Sequence, residues 1–256
     1  MPTWINVLFW SVLLLFPLPM DAKESLFTLQ QRQQLATKVE TLLVEKKVQV
    51  ALLARMGRPL AEMPAGMHFT HVGFVVDTAP SSQETQTASR YITYNMYQQE
   101  DQPDVSALEQ DTPLAFFAHV AELEAGLIIP SPGLQKRLLT VIHSATYQAL
   151  HDPRYSLIAN PYTLGKQNCT EFVLDVISAA LYQTTDIQQI KAQEQTHFTA
   201  QRIHVSPFRL YLAALFKAEI SLSDQSDPPV TATFETIGSF LQQNDTQTER
   251  LTVRHD

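Results

Sequence analysis

A single cysteine, Cys169, stands in the run Gln-Asn-Cys-Thr-Glu-Phe-Val-Leu-Asp-Val-Ile at 167–177. One thiol forms no internal disulfide, so it is either a small buried apolar group or a reactive one. Apolar residues at Phe172, Val173, Val176, Ile177 and Ala180 predict a helix over 169–182 that starts at the cysteine. A thiol in a first helical turn faces unpaired backbone N–H groups and the positive end of the helix dipole, which favour the thiolate and lower its pKa. The same N–H groups suit an oxyanion.

Such a nucleophile needs a base, and among eight histidines His71 stands out by position. It opens Thr-His-Val-Gly-Phe-Val-Val at 70–76, a strand whose alternation puts His71, Gly73 and Val75 on one face. Gly73 leaves room there for a close neighbour. If this strand forms a hairpin with one over 90–97, across the polar loop 77–89, Val76 lies near Arg90 and His71 opposite Asn95 or its neighbour. The Asn95 amide then accepts the imidazole N–H and fixes its tautomer, the third-group role of a Cys–His–Asn triad. Thr93, on the same face, is the fallback.

Other polar residues near these sites have plainer readings. Asn168 and Glu171 suit a helix N-cap and a first-turn acid that complements the dipole. Tyr155 and Tyr162 lie in the approach to the cysteine and read as packing residues. His68 and His71 are three apart in an extended segment, on opposite faces and without a second ligand pair, so no metal is expected. No dinucleotide fingerprint, phosphate loop or nucleophile-elbow serine occurs, and no cofactor is expected.

The elements that must position the pair follow from periodicity and turn chemistry. A surface helix lies within 25–47, a strand at 48–54, a short helix at 111–120, a brief strand at 126–129 and a helix at 132–150. Turn signals at Asp152-Pro153, Asn160-Pro161 and Gly165 precede the cysteine helix. Further helices are predicted at 186–194 and 207–217, a strand at 202–205 and an ordered segment at 234–241, with a disordered tail over 245–256. The expected fold class is α+β, an antiparallel sheet packed against helices in one domain spanning 23–244.

Composition bounds the partners. With 45% hydrophobic residues the chain can bury a full core, and a net charge of −8 without a basic cluster argues against nucleic acid. The uncharged run Trp4 to Phe16 reads as a signal peptide over 1–22, cleaved after Ala22, which predicts an exported, periplasmic protein. An uncleaved anchor is the alternative, and membrane contact is expected only in that case.

F-T-H-V-G-F-V-V at 69–76 followed by the cysteine run at 167–177 resembles the permuted branch of the NlpC-type cysteine peptidases, in which histidine precedes cysteine. In that branch, which includes the lecithin retinol acyltransferase group, a strand-start histidine and an N-C-x-x-F helix start form the reactive pair; His71 and Cys169 match those positions. V-A-L-L-A-R-M-G-R, Y-I-T-Y-N-M-Y-Q, I-I-P-S-P and Q-N-C-T-E-F together resemble, more closely, an uncharacterised exported bacterial family known as domain of unknown function 2145, over nearly the whole mature chain. The resemblance implies a permuted papain-like α+β fold. It further implies a thiol hydrolase or acyltransferase acting on an amide, ester or thioester carbonyl through a Cys169 acyl-enzyme. The substrate class is a peptide or cell-wall amide by one analogy and a lipid acyl group by the other. The acyltransferase group carries a second histidine on the following strand, where this chain has Tyr91, Thr93, Asn95 and Tyr97. A non-catalytic periplasmic binding module on the same scaffold is the alternative function.

Overall fold

The computed structural model of the chain describes residues 25–78 and 89–255. The expected leader over 1–22 lies outside them. Helix α1 (Leu29–Glu45) starts at Thr28, whose hydroxyl accepts the Gln31 N–H while the Gln31 side chain accepts the Thr28 N–H. Strands β1 (Val50–Arg55), β2 (His71–Asp77), β3 (Tyr91–Gln98) and β4 (Ser106–Asp111) follow, then the short helix α2 (Pro113–Phe116) and β5 (Glu124–Ile129). Helices α3 (Pro132–Ile142) and α4 (Ala145–Ala149) lead through a long loop to α5 (Cys169–Tyr182) and α6 (Ile187–His197). The two-residue strands β6 (Gln201–Arg202) and β7 (Val230–Thr231) pair with each other, with α7 (Pro207–Phe216) between them in sequence. Helix α8 (Phe234–Asn244) and strand β8 (Glu249–Arg254) complete the fold.

Six strands form one antiparallel sheet in the order β4-β3-β2-β1-β5-β8. The two central strands read as nearly unbroken apolar runs because both faces of the sheet are covered. Val50, Leu52, Val72, Phe74 and Val76 join α3, α5 and α8 in one core. Ala51, Leu53 and Val75 join Leu35, Val39 and Leu43 of α1 and Phe116 and Phe117 in the second. The molecule is therefore α+β, an antiparallel sheet between helical layers.

Local polar chemistry decides where the sequence-based elements change. The helix expected over 132–150 is broken: α3 ends at His143, and the Ser144 hydroxyl accepts the Thr146 N–H to begin α4. Asp111 belongs to β4, and Thr112 caps α2. The strand expected at 202–205 is reduced to Gln201–Arg202. The tail is also corrected. Residues 249–254 are not disordered but form β8, paired with β5 from Ile129–Glu249 to Glu124–Arg254, with Leu251 and Val253 packed on the second core. Only every second residue of that strand is apolar, as an edge covered on one face requires.

Candidate active site

The β2–β3 hairpin sets the geometry around His71. Asp77 opposes Tyr91 and Phe74 opposes Tyr94, a register that carries Gly73, rather than His71, opposite Asn95. The expected register is thus corrected by an even number of residues, which leaves every side chain on its expected face. His71 instead stacks on Tyr97, with ring centroids 4.7 Å apart and planes 19° from parallel. Asn95 reaches His71 diagonally across Gly73: a Cβ on Gly73 would collide with Asn95 Oδ1 and stand 2.8 Å from the Tyr94 carbonyl oxygen. The neighbour for which the glycine makes room is the asparagine itself.

The His71 tautomer follows from the bonds around Asn95. The Asn95 amide nitrogen donates to Thr93 Oγ1 at 3.0 Å and to Asp111 Oδ2 at 3.2 Å, and a carboxylate only accepts, so the amide has one orientation. Oδ1 then faces His71 Nε2 at 3.2 Å, and Nε2 must carry the hydrogen. In the neutral ring Nδ1 keeps its lone pair, with no hydrogen bond among the described residues. Burial, reinforced by the nearby Arg55 charge, lowers the His71 pKa to about 3 against the opposing effect of the Asn95 bond. The imidazole is therefore neutral at pH 7 with Nδ1 open, while burial and the Arg55 charge weaken it as a base.

Cys169 opens α5, as its sequence predicts. Asn168 caps the helix: its Oδ1 accepts the Glu171 N–H at 2.9 Å, and its amide donates to the Leu157 carbonyl and to Thr231 Oγ1. The β2–β3 ladder ends at Phe74–Tyr94, which leaves the Val72 N–H outside it, and the Val72 and Thr170 N–H groups lie close enough to the Cys169 sulfur to stabilise a thiolate. Both favour the thiolate, yet burial dominates and pushes the thiol above its ordinary value. The lowered pKa expected from the helix start is thus reversed. Cys169 is 8% exposed, and among the described residues no hydrogen bond joins its sulfur to His71. The two side chains meet the same short stretch of β2, one as His71 itself and the other against the N–H of Val72.

Three residues join this site that sequence reasoning missed. Arg55 opposes His71 across β1–β2, lies 5.6 Å from the Tyr97 ring centroid and 5.2 Å from that of Phe116, and donates to the Phe116 carbonyl. Asp111 accepts from Asn95 and, at 2.7 Å, from the Tyr97 hydroxyl, so it ties the asparagine and the stacking ring together. Tyr97 had been placed on this face but given no role. Thr93 acts beneath Asn95 rather than in its place, accepting from its amide and donating to the Asp111 carbonyl at 3.2 Å. Of the aromatic approach residues, Tyr155 is buried near the sulfur, whereas Tyr162 donates to the Phe198 carbonyl and packs.

Behind the thiol, α5 is held to α6 by a buried charge cluster. Lys191 Nζ donates to Glu171 Oε1 at 2.8 Å, to Asp175 Oδ1 at 2.6 Å and to the Pro161 carbonyl at 3.0 Å, with Glu194 Oε2 at 3.3 Å. Glu171 is therefore a buried ion-pair partner as well as a first-turn acid. Burial raises all three carboxyls, while the three carboxylates together outweigh burial and hold Lys191 above its ordinary range. His68, read against a metal role, is paired with Glu124 Oε1 at 2.6 Å.

The model of a bacterial protein family, described as an uncharacterized protein conserved in bacteria (DUF2145), matches residues 43–241, from the last turn of α1 to the last turn of α8. The chain belongs to this family. The matched span contains Arg55, His71, Asn95, Asp111 and Cys169. No curated protein and no solved structure matches the chain significantly.

Proposed function

We propose that this DUF2145 member is an exported thiol hydrolase or acyltransferase with a permuted papain-like, NlpC-type site, in which Cys169 is the nucleophile and His71 the base. The observation that carries the reading is the His71–Asn95 bond across Gly73. It fixes the Nε2–H tautomer and leaves Nδ1 free on a neutral ring one residue from the peptide N–H that faces the sulfur. In the proposed reaction the thiol proton passes to His71 Nδ1 as sulfur attacks the carbonyl carbon of an amide, ester or thioester. The oxyanion is met by backbone N–H groups at the start of α5. The bond from carbon to the leaving group then breaks, the leaving group takes the proton from His71, and water or an acyl acceptor releases the acyl group from Cys169.

The reading is tested by incubating the protein with p-nitrophenyl acetate and recording intact mass and peptide maps. The expected result is one acetyl adduct on Cys169, absent in Cys169→Ser and slowed at least tenfold in His71→Ala. No adduct at any pH between 6 and 9, or equal rates in wild type and His71→Ala, overturns it. The competing reading, a binding module with a silent thiol, is favoured by the 8% exposure of Cys169 and predicts that second outcome.

A further inference from the structure

Among the described residues, helix α7 presents an apolar face with no partner. Phe208, Tyr211 and Leu215, at spacings of three and four, are 68%, 56% and 58% exposed, and Phe216 beside them is 78% exposed. The opposite side is already satisfied: Leu210 and Ala213 pack with Ile220 against Ile158, Val205 and Leu222. A cluster of large exposed side chains on one short helix marks an interaction surface rather than ordinary scatter.

Charge identifies the occupant. The whole chain has 26 acidic and 18 basic residues, yet from Gln201 to Ala218 it carries Arg202, Arg209 and Lys217, and the first acidic residue, Glu219, comes only beyond the helix. Arg209 lies among the exposed aromatic residues and Lys217 closes the helix. Aromatic and leucine side chains that enter the acyl boundary, rimmed by cations that meet headgroups, are the pattern of a helix lying flat in a membrane interface. Helix α7 has ten residues, about half of what a membrane span needs, so its contact is peripheral.

We infer that α7 docks the domain on an anionic lipid surface through Phe208, Tyr211, Leu215 and Phe216, with Arg209 and Lys217 on the headgroups. The docking face lies near the thiol's surroundings. Ile158 under α7 belongs to the loop that leads to Cys169, and the Leu157 N–H in that loop donates to the Glu219 carbonyl just beyond α7 at 2.7 Å. The surface acts in the same way whether or not Cys169 is reactive.

The test is amide hydrogen exchange on the full chain, read by mass spectrometry with and without vesicles. One set is pure phosphatidylcholine and the other contains 30% phosphatidylglycerol. Exchange over 207–216 is expected to slow at least threefold with the anionic vesicles and to stay near the free rate with the neutral ones. Because the readout is local, association through the apolar residues near the start of the chain does not mimic it. The variant Phe208→Ser/Tyr211→Ser/Leu215→Gln/Phe216→Ser abolishes the protection. Arg209→Glu/Lys217→Glu, which leaves the apolar face intact, weakens vesicle affinity at least tenfold. Exchange unchanged by anionic vesicles, or equal affinity in the charge-reversed variant, overturns the inference. Protection that grows with protein concentration in the absence of lipid also overturns it and assigns the face to a second copy of the chain.

Discussion

Asn95 occupies the space that a side chain on Gly73 would need, and from there its Oδ1 meets His71 Nε2 at 3.2 Å. The glycine is required by this close approach and not by an unusual backbone angle. Gly73→Ala must therefore displace the asparagine from a buried position at a cost of about 1–3 kcal/mol, typical of overpacking. On the proposed function it also frees the imidazole, so acetyl transfer to Cys169 is expected to fall. Gly133→Ala is the control, because a Cβ there meets only Ser131 Oγ at 3.9 Å. Urea unfolding of the two variants, with the acetylation rate beside it, checks both statements.

The support of Asn95 by Asp111 separates truncation from neutralisation. Asp111→Ala leaves the buried Asn95 amide with Thr93 as its remaining acceptor and removes the partner of the Tyr97 hydroxyl, a loss of about 1–3 kcal/mol. Asp111→Asn keeps an acceptor oxygen and is expected to stay within about 1 kcal/mol of wild type in the same urea titration.

Acid stability carries the signature of the neutral histidine. The folded-state pKa of His71 is about 3 against 6.5 for a free imidazole, so below pH 6.5 the unfolded chain takes up a proton that the fold refuses. Its contribution is intact above pH 6.5 and is lost progressively as pH falls toward 3. His71→Gln is expected to flatten the fall in unfolding free energy between pH 6.5 and 4.5. A slope identical to wild type in that window overturns the assignment.

The Lys191 cluster responds in the opposite sense. Lys191→Met leaves Glu171, Asp175 and Glu194 buried without their cation, and breaking such a cluster costs about 3–5 kcal/mol at neutral pH. The three carboxyls are already raised by burial, so their protonated forms suit the fold and acid relieves the variant. Its deficit relative to wild type is expected to be larger at pH 8 than at pH 5, measured by urea midpoints at both.

Thiol reactivity reports the balance at the helix start. With burial outweighing the N–H groups of Val72 and Thr170, iodoacetamide labelling of Cys169 in the folded protein is expected to rise only above the free-thiol value of about 8.5. Labelling in urea proceeds at the ordinary rate. Rapid labelling of the native protein at pH 6 contradicts this order of effects.

Where apolar periodicity was strong, the sequence located the elements closely. The predicted helix over 169–182 coincides with α5, and the predicted strands around His71 and Asn95 are β2 and β3. Register was beyond it because the long loop between those strands sets no turn geometry, yet side-chain parity survived and kept Asn95 beside His71. Asp111 was missed because Ser106–Asp111, an edge strand written Ser-Ala-Leu-Glu-Gln-Asp, has almost no apolar alternation. The edge strand β8 does alternate, but its two apolar residues, Leu251 and Val253, stand among charged ones in too short a run to be read as a strand. Arg55 and the Lys191 cluster depend on which elements cross in space, which no local pattern encodes. The direction of the Cys169 shift was misjudged for a related reason: the helix start is visible in sequence, whereas the enclosure around it is not.

The buried lysine and carboxylates behind Cys169 also have a mechanical meaning. First helical turns ordinarily fray, since their N–H groups lack partners along the helix. Here α5 is gripped at Glu171 and Asp175 by a lysine on the neighbouring helix, and its tip is tied down by Asn168. The helix behaves as a short beam pinned at its tip and clamped just behind it. On the proposed function, a molecule pressing against the sulfur meets a stiff support, whose load passes through Lys191 into α6.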